Sequence, residues 1–483
     1  MSEALTPQQL QKAPGTQPGD PKLDLDQIQG DVLIGLQKFF ERFVFFAIQD
    51  APAFKAALRQ DLAKRITTTR EVHQREFDLN ALKIQGKRDR LPLIGLNLGF
   101  TAEGIGLLVP GADLGDPSFA NGAKKQAAAL NDPVDGQGNP TTWLAAFLNA
   151  TIHGVFLVTG GTASAVQEEF DRITGLLGHA ISVVYDETGQ SRPGLERGHE
   201  HFGWLDGVSQ PGIKGLSDPF PGQQLLDPGF FVFGYPGPTA APPLPWMRNG
   251  AFMVFRRLQQ LVPEFHQFLV TEANDQGMDS VLLGGRLVGR WQSGAPMELT
   301  PLQDDSTLGP DPQRNNNFDF ADDQGERRCP FGAHIRKTNP RKDIPEQFLD
   351  PHRIIRAGIP FGPELSTAEQ QGDATEQERG LMFVCYQTSI PEQFEFVQNK
   401  WANNPGFVPG KHHPDGTVVS VGFDPIIGQN AGGAPRTTDE PVPNYPTGNV
   451  RSTLHEPQNF IVPTAAAYCF VPSIAALENE LSA

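Results

Sequence analysis

The sequence predicts an α+β fold built from two ferredoxin-like halves, and three observations lead to this prediction. Strand and helix patterns in the first half of the chain follow the order strand–helix–strand–strand–helix–strand, which is the ferredoxin-like order. A similar order recurs in the second half. The chain of 483 residues is also too long for a single small core, which favours two or three domains.

The first half starts with a polar segment, residues 1–21, whose Pro and Gln content predicts a flexible arm. Helical spacing of apolar residues predicts helices over Ala51–Arg65 and Ala163–Leu177. Thr101 predicts an N-cap for a short helix, and residues 111–143, rich in Gly, Asp, Asn and Pro, predict an irregular excursion. Apolar runs predict four strands: Arg42–Ile48, Leu91–Phe100, His153–Thr159 and Ile181–Tyr185.

The second half carries helical patterns over Val262–Glu272 and Ile390–Trp401, and residues 293–333 read as loops. Its predicted strands are Phe252–Arg256, Arg353–Arg356, Gly380–Tyr386 and Ala466–Val471. We therefore predict four parts, which are a flexible arm (1–21), an N-terminal half (22–195), a junction (196–245) and a C-terminal half (246–483).

Composition excludes several classes of function. With 39 basic and 56 acidic residues the net charge is −17, so we expect neither a nucleic-acid nor a membrane partner. No apolar run approaches the roughly 18 residues that a membrane-spanning helix needs. Cys329, Cys385 and Cys469 are too widely spaced for a disulfide framework or a Cys-x-x-Cys zinc site. The opening residues have no apolar signal core, which leaves a cytosolic protein, a removed signal and another export route all open.

The segment 328–341, RCPFGAHIRKTNPR, is the strongest candidate for a binding site. Its histidine, His334, lies among small residues, prolines and cations, and Gly332 and Ala333 would let a flat ligand approach the backbone. Arg336 could meet ligand carboxylates. An imidazole beside guanidinium groups is what a haem iron with anionic propionates needs. A surface or hydrogen-bonding histidine is the alternative, and the segment alone decides nothing.

A second candidate segment, 199–211 (HEHFGWLDGVSQP), lies at the predicted junction, where ligand sites are common. Asp206 follows two apolar residues and is flanked by glycines, and a half-apolar pocket raises the pKa of a carboxyl group toward use as a proton shuttle. A tight turn capped by Asp206 is the alternative. His199 and His201 resemble a metal pair, but an i, i+2 pair needs further ligands, so a zinc hydrolase is the weakest function considered.

These segments resemble the dye-decolorising peroxidases. GWLDG (203–207) matches their GxxDG motif, and its surroundings look like the fungal members. Residues 329–341 resemble the proximal-histidine segment of the family, and HRIIRAGIPFG (352–362) resembles its distal-arginine segment. The likeness runs from about Leu23 to Gly428, and three motifs in the right order are a specific signal. It implies two ferredoxin-like halves of the dimeric α+β barrel type, in agreement with the element order.

The resemblance also implies roles for the residues of the site. His334 would be the axial ligand of a haem b iron and would donate its other ring N–H to a carboxylate, for which Asp424 is the candidate; an Asp-Pro turn is the alternative. Asp206 would move a proton between the two oxygens of hydrogen peroxide. Arg356 would stabilise the charge that develops as the O–O bond breaks, with Arg353 as its rival.

Other positions follow from the same likeness. Arg336 would pair with a haem propionate, unless it is a solvated loop cation. Leu381 and Phe383 alternate on a predicted strand and would line the distal pocket, or belong to the ordinary core. Trp401 resembles the surface tryptophan that relays electrons in fungal members; a packing residue is the alternative.

The implied function is that of a haem peroxidase that cleaves hydrogen peroxide heterolytically to a ferryl intermediate. It would oxidise aromatic dyes and phenolic compounds in single-electron steps, with bulky substrates at the surface. A haem carrier, a deferrochelatase or a chlorite-type enzyme of related fold is the alternative. The acidic surface would attract cations, which makes Mn(II) a candidate further partner; scattered carboxylates that are only solvated are the alternative. An extracellular, secreted protein is expected from the resemblance.

Overall fold

The protein has an α+β fold whose centre is a nine-stranded antiparallel sheet flanked by helices. The computed structural model describes residues 19–84, 93–238, 242–411, 421–431, 436–444 and 448–483. Except for residues 19–21, the predicted arm lies outside this part of the chain.

The strands in the described ranges are β1 (Phe40–Ile48), β2 (Gly95–Phe100), β3 (Gly154–Gly160), β4 (Ile181–Gln190), β5 (Gly212–Ile213), β6 (Leu225–Leu226), β7 (Ala251–Gln260), β8 (Ile355–Arg356), β9 (Ile359–Phe361), β10 (Gly380–Gln387), β11 (Arg436–Asn444), β12 (Gly448–Glu456) and β13 (Ile461–Val471). The α-helices in the same ranges are Gly30–Leu33, Ala51–Ala57, Thr69–Ile84, Ala102–Leu108, Pro117–Asn121, Ala123–Gln126, Ala145–Asn149, Ala163–Leu177, Val262–Gln276, Ser280–Val288, His334–Thr338, Glu346–Leu349, Thr367–Gly372, Phe394–Phe396 and Ile474–Glu478.

The strand order of the central sheet contains the same arrangement twice. The order is β4-β1-β3-β2-β13-β7-β10-β8, with β9 also paired to β10. When β8 and β9 are counted as one strand and the separate hairpin of β11 and β12 is left out, the four strands of each half lie in the order fourth, first, third, second, which is the ferredoxin-like arrangement. The pairing of Phe100 with Phe470 joins the two halves into one sheet. The predicted pair of ferredoxin-like halves is therefore confirmed.

One aromatic core connects the halves. The run RFVFFAI in β1 is nearly continuously apolar, as expected of a strand covered on both faces, and Phe43, Phe45 and Phe46 are fully buried. The ring centroids of Phe45 and Phe255, from the first strand of each half, lie 4.9 Å apart. Burial of such rings contributes roughly 2–3 kcal/mol each, so this shared core stabilises both halves together.

Most predicted elements of the first half are present. The helix Ala163–Leu177 has the predicted bounds. The predicted helix from Ala51 is an α-helix to Ala57 and continues through a π-helical and a 3₁₀ turn to Arg65. Thr101 caps the next helix, because its Oγ1 accepts from the Gly104 N–H at 3.2 Å. The second strand is shorter than the predicted Leu91–Phe100. It begins at Gly95, and residues 91 and 92 lie outside the described residues.

Differences concentrate in the second half. The helix Ser280–Val288 and the hairpin of β11 and β12 were not predicted. The predicted helix from Ile390 begins only at Phe394 and ends in a π-helical turn at Ala402. The boundaries chosen for the four parts of the chain remain a prediction. Among the described residues, no helix combines the length and apolar character needed to cross a membrane.

Candidate active site

A cavity of about 540 Å³ brings the two candidate segments together. Asp206 of the junction, His334 of the proximal segment and Arg356 of β8 all line it. Its apolar wall includes Leu258, Val288, Ile335, Leu381, Phe383 and Phe394. His334 and Arg356, which follow Asp206 by 128 and 150 positions in the chain, therefore share one site with it.

His334 is the first residue of a short helix, not part of a loop, and its ring is held by a buried carboxylate. Its Nδ1 lies 2.8 Å from Oδ2 of Asp424, whose side chain has no exposed surface. Burial by itself would raise the pKa of Asp424, but His334 and the N–H groups of Ile427 and Ile426 outweigh it and the pKa is lowered. Since a carboxylate only accepts, Nδ1 carries the proton and Nε2 keeps a lone pair for a metal.

The loop that carries Asp424 is tied to the same helix. Oδ1 of Asp424 accepts from the N–H groups of Ile426 at 2.8 Å and Ile427 at 3.0 Å, so the turn and the histidine contact coexist. Lys337 Nζ, at the far end of the helix, donates to the Gly422 carbonyl at 2.5 Å. The proximal carboxylate thus has a fixed position relative to the ring.

Asp206 and Arg356 form the second pair of the cavity. Arg356 Nη1 lies 3.3 Å from Oδ1 of Asp206, and Nη2 donates to the Ser209 carbonyl at 2.9 Å. Their side chains are 37% and 30% exposed, so both can reach a small ligand that enters the cavity. Arg353, the rival, also lines the cavity but is not bonded to Asp206.

The backbone conformation of the GxxDG motif requires its two glycines. Gly203 and Gly207 have φ values of +106° and +71°, a region that L side chains rarely adopt. Between them the chain turns back on itself, with the Asp206 N–H bonded to the Gly198 carbonyl at 2.8 Å. The carboxylate of Glu200 accepts from the N–H groups of Phe202 and Trp204, each at 2.8 Å. The motif therefore builds the turn that presents Asp206.

Arg336 was wrongly predicted to face a ligand. Its side chain is fully buried and does not line the cavity. Nε donates to Asp343 Oδ2 at 2.6 Å and Nη1 to Asp323 Oδ2 at 3.1 Å. Because both carboxylates already compensate its charge, Arg336 is neither a propionate partner nor a solvated loop cation but part of a buried ion network.

Three further arginines, Arg290, Arg341 and Arg353, line the cavity, and the sequence did not single out Arg341. Burial lowers the pKa of Arg290 to about 9 and of Arg341 and Arg353 to about 10. Arg290 and Arg341 donate to neutral acceptors such as the Asn315 and Asn316 carbonyls. The Nε of Arg353 is buried without a hydrogen-bond partner among the described residues. Anionic groups of a ligand would restore the charge balance of this wall.

Leu381 and Phe383 lie where the sequence placed them. They alternate along β10 with Met382 and Val384, which are completely buried on the other face of the sheet. Both side chains line the cavity, so the two alternatives, pocket lining and ordinary core, do not exclude each other.

Trp401 is a buried residue, not the surface tryptophan that was expected. Its side chain is 3% exposed and stacks on Phe407, with 5.3 Å between ring centroids. The rings of Trp401 and His352 are perpendicular, with 5.4 Å between their centroids, and His352 lines the cavity. Trp401 lies in the π-helical turn Val397–Ala402 that ends the preceding helix, and its indole packs in a small apolar cluster with Val397, Phe407 and Val408.

The histidine pair of the junction does not form a metal site. His201 is buried and its Nε2 lies 2.9 Å from the Phe361 carbonyl. Within the described ranges, no three His, Cys, Asp or Glu side chains cluster as metal ligands would.

Comparison with known proteins identifies the family. The family models for the DyP dimeric alpha+beta barrel domain and for the C-terminal part of Dyp-type peroxidases match residues 27–193 and 240–407. The chain is 42% identical over 473 residues to a dye-decolorizing peroxidase of Exidia glandulosa, covering 95% of this chain and 88% of the relative. The chain belongs to the dye-decolorising peroxidase family. Solved structures of such peroxidases agree in fold.

One of these is an ancestral D-type dye-decolorising peroxidase, with 42% identity, a TM-score of 0.86 and coverage of 96% of this chain and 100% of the other. A second is a dye-decolorising peroxidase in complex with 2,6-dimethoxyphenol, with 40% identity, a TM-score of 0.82 and coverage of 95% and 100%. The expected family and enzyme class are therefore confirmed: this is a DyP-type peroxidase, and membership implies a haem cofactor.

The residues of the cavity fit a haem. A histidine whose Nε2 is left for iron, an apolar wall and three arginines to which no carboxylate is bonded among the described residues are the groups that an iron porphyrin with two carboxylates requires. His334 would hold the iron, and Arg341 and Arg353 would hold the carboxylates.

Proposed function

We propose that the cavity binds haem b and that the enzyme uses hydrogen peroxide to oxidise aromatic dyes and phenolic compounds one electron at a time. The observation that carries the proposal is the meeting of two pairs in one cavity, His334 with Asp424 and Asp206 with Arg356. The first pair is a metal ligand with its carboxylate partner. The second is a proton carrier beside a fixed positive charge.

The proximal pair sets the electronic character of the site. Asp424 accepts the Nδ1–H of His334, so the lone pair on Nε2 becomes a stronger donor. When bound, the haem supplies the redox chemistry, since its iron takes up the oxidising equivalents of peroxide. The loop contacts of Asp424 prevent the carboxylate from turning away.

Asp206 acts on peroxide as a proton carrier. Its carboxylate accepts a proton from one oxygen of hydrogen peroxide and returns it to the other oxygen, which leaves as water. The Arg356 guanidinium lies 3.3 Å from this carboxylate and stabilises the negative charge that builds on the departing oxygen. Leu381 and Phe383 keep this part of the cavity apolar and exclude large molecules.

Reducing substrates of different sizes need different access, since a haem in the cavity of about 540 Å³ would leave room only for small molecules. A relative binds 2,6-dimethoxyphenol, which supports small phenols as substrates here. For bulky dyes we infer electron transfer through Trp401, whose ring is perpendicular to that of the cavity residue His352, with 5.4 Å between the ring centroids.

The net charge of −17 favours Mn(II) near the surface. The pI near 5.1 and 43 prolines support an extracellular location, which detection in a culture filtrate would test.

A haem carrier or deferrochelatase is the competing function, and it predicts a different response to mutation. Purified protein with haem is mixed rapidly with hydrogen peroxide, and the Soret band is followed in wild type, Asp206→Asn and Arg356→Leu. A peroxidase gives a fast spectral change that both variants lose while they still bind haem. Equal spectra and equal rates in all three proteins would favour the carrier.

A further inference from the structure

The side-chain amide of Gln210 is bonded to the backbone of Arg356 at two points. Its Nε2 donates to the Arg356 carbonyl at 2.7 Å, and its Oε1 accepts from the Arg356 N–H at 3.2 Å. Only one orientation of the amide satisfies both groups, because one end must accept and the other must donate. Gln210 and Arg356 both line the cavity. The cavity wall therefore contains a direct link between the two segments.

The position of Arg356 in the sheet explains why its backbone is open to this partner. The strand β8 stands at one end of the strand order and pairs with β10. In the described part of the chain, no strand covers its other side. An edge strand presents unpaired N–H and C=O groups. The Gln210 amide takes the place of the missing strand at this one residue.

The short segment that begins with Asp206 holds Arg356 at both its backbone and its guanidinium. Gln210 binds the backbone, and the Ser209 carbonyl accepts from Nη2 at 2.9 Å. The Gln210 carbonyl is itself fixed, because it accepts from Nε2 of Gln223 at 2.9 Å. Nη1 of Arg356 lies 3.3 Å from the Asp206 carboxylate. One stretch of chain therefore carries the acid and fixes the guanidinium beside it.

We propose that Gln210 is a positioning residue for the peroxide reaction and keeps Arg356 in register with Asp206. This inference rests on the proposed function, because it concerns the two residues that act on peroxide there. Gln210 carries no charge and does not titrate, so its contribution acts through Arg356. A carboxylate at this position would oppose the Arg356 carbonyl, and an apolar side chain would leave both backbone groups unpaired.

The test uses the full chain loaded with haem and a matched pair of variants. Gln210→Met keeps the length of the side chain and removes both hydrogen bonds. Gln29→Met is the control, because Gln29 forms the same two contacts with the backbone of Leu98, at 2.9 and 2.8 Å, and does not line the cavity. We measure the second-order rate constant with hydrogen peroxide by stopped-flow absorbance. Mass spectrometry follows amide hydrogen exchange of residues 355–357.

Gln210→Met slows the peroxide reaction about 10- to 100-fold, since small displacements of a catalytic group have effects of this size. It also speeds exchange of the Arg356 N–H. In the Arg356→Leu background the same substitution changes the rate by no more than about twofold, because its effect needs the guanidinium. Damage to the fold would instead lower the rate by equal factors in both backgrounds. Gln29→Met keeps the wild-type rate and the wild-type exchange at residues 355–357.

A Gln210→Met protein that reacts as fast as wild type, or equal losses in both backgrounds, overturns the inference. If this variant does not retain haem, Gln210→Asn decides in the same way, because its amide is one methylene too short to reach both groups. Failure of the proposed function looks different: the wild type itself then shows no rapid spectral change with peroxide, whereas the faster exchange of the Arg356 N–H in Gln210→Met remains.

Discussion

Nδ1 of His334 lies 2.8 Å from Oδ2 of Asp424, although 90 positions separate the two residues in the sequence. The carboxylate is completely buried and is also held by two backbone N–H groups. Such an arrangement fixes both the tautomer and the orientation of a metal-binding imidazole.

Replacement of Asp424 by Asn exchanges the negatively charged acceptor of the His334 Nδ1–H for a neutral one. The Nε2 lone pair of His334 then becomes a weaker donor to a metal. We expect the second-order rate constant for reaction with hydrogen peroxide to fall roughly 10- to 100-fold, the usual cost of losing such a partner. Stopped-flow absorbance at the Soret band measures it. Asp343→Asn, in the neighbouring ion network, is the control for general damage, and an equal loss in both would contradict the prediction.

Asp206→Asn removes the proton carrier while keeping size and shape. We expect the rate of the peroxide reaction to fall by about 10²- to 10⁴-fold. Haem binding stays unchanged because Asp206 contacts Arg356 and its own turn rather than the proximal side. Arg356→Leu should show a loss of about 10²- to 10³-fold. Wild-type rates in Asp206→Asn would assign proton transfer to another group.

Arg341 and Arg336 are close in sequence, yet they should respond in opposite ways. Arg341→Ala removes a cavity cation and should weaken haem affinity roughly 10- to 150-fold, since a charged hydrogen bond is worth about 1.5–3 kcal/mol. Arg336→Met leaves the buried Asp323 without its cation and Asp343 with Lys411 alone, and should lower the free energy of unfolding by about 3–5 kcal/mol. Haem titration and urea denaturation of both variants give the comparison; a stable Arg336→Met with weakened haem affinity would reverse the assignment.

His201 predicts a specific pH dependence of stability. Burial lowers its pKa in the folded protein to about 4, whereas the unfolded chain takes up the proton near pH 6.5. The unfolded state therefore binds more protons between these values, and the free energy of unfolding falls as the pH drops from about 6.5 to 4. His201→Gln, which can still donate to the Phe361 carbonyl, should remove on the order of 2 kcal/mol of this loss. The prediction is contradicted if the free energy of unfolding depends on pH in the same way in the wild type and in His201→Gln.

The strands were predictable because their apolar runs reflect burial on both faces, as in β1 and β10. The hairpin of β11 and β12 was not, because RTTDEPVPN contains two prolines, which argue against a paired strand. The helix Ser280–Val288 contains two adjacent glycines, which lower helix propensity; in the fold Gly284 leaves room for the Trp204 ring.

Within the site, sequence motifs identified the residues but not the direction of every side chain. Arg336 and Arg341 are both cations of one segment, and only tertiary packing sends the first to Asp323 and Asp343 and the second to the cavity. The burial of Trp401 comes from packing on Phe407 and His352, contacts that no local pattern in the sequence indicates. Contacts between distant segments decide these positions.

The most direct test of the account is the ligation of haem by His334. Wild type and His334→Ala are titrated with haemin, and resonance Raman spectra are recorded for the reduced complexes. We predict an iron–imidazole stretch in the wild type, its disappearance in His334→Ala, and its return when free imidazole is added to the variant. An identical stretch in both proteins, or none in the wild type, would contradict the central claim.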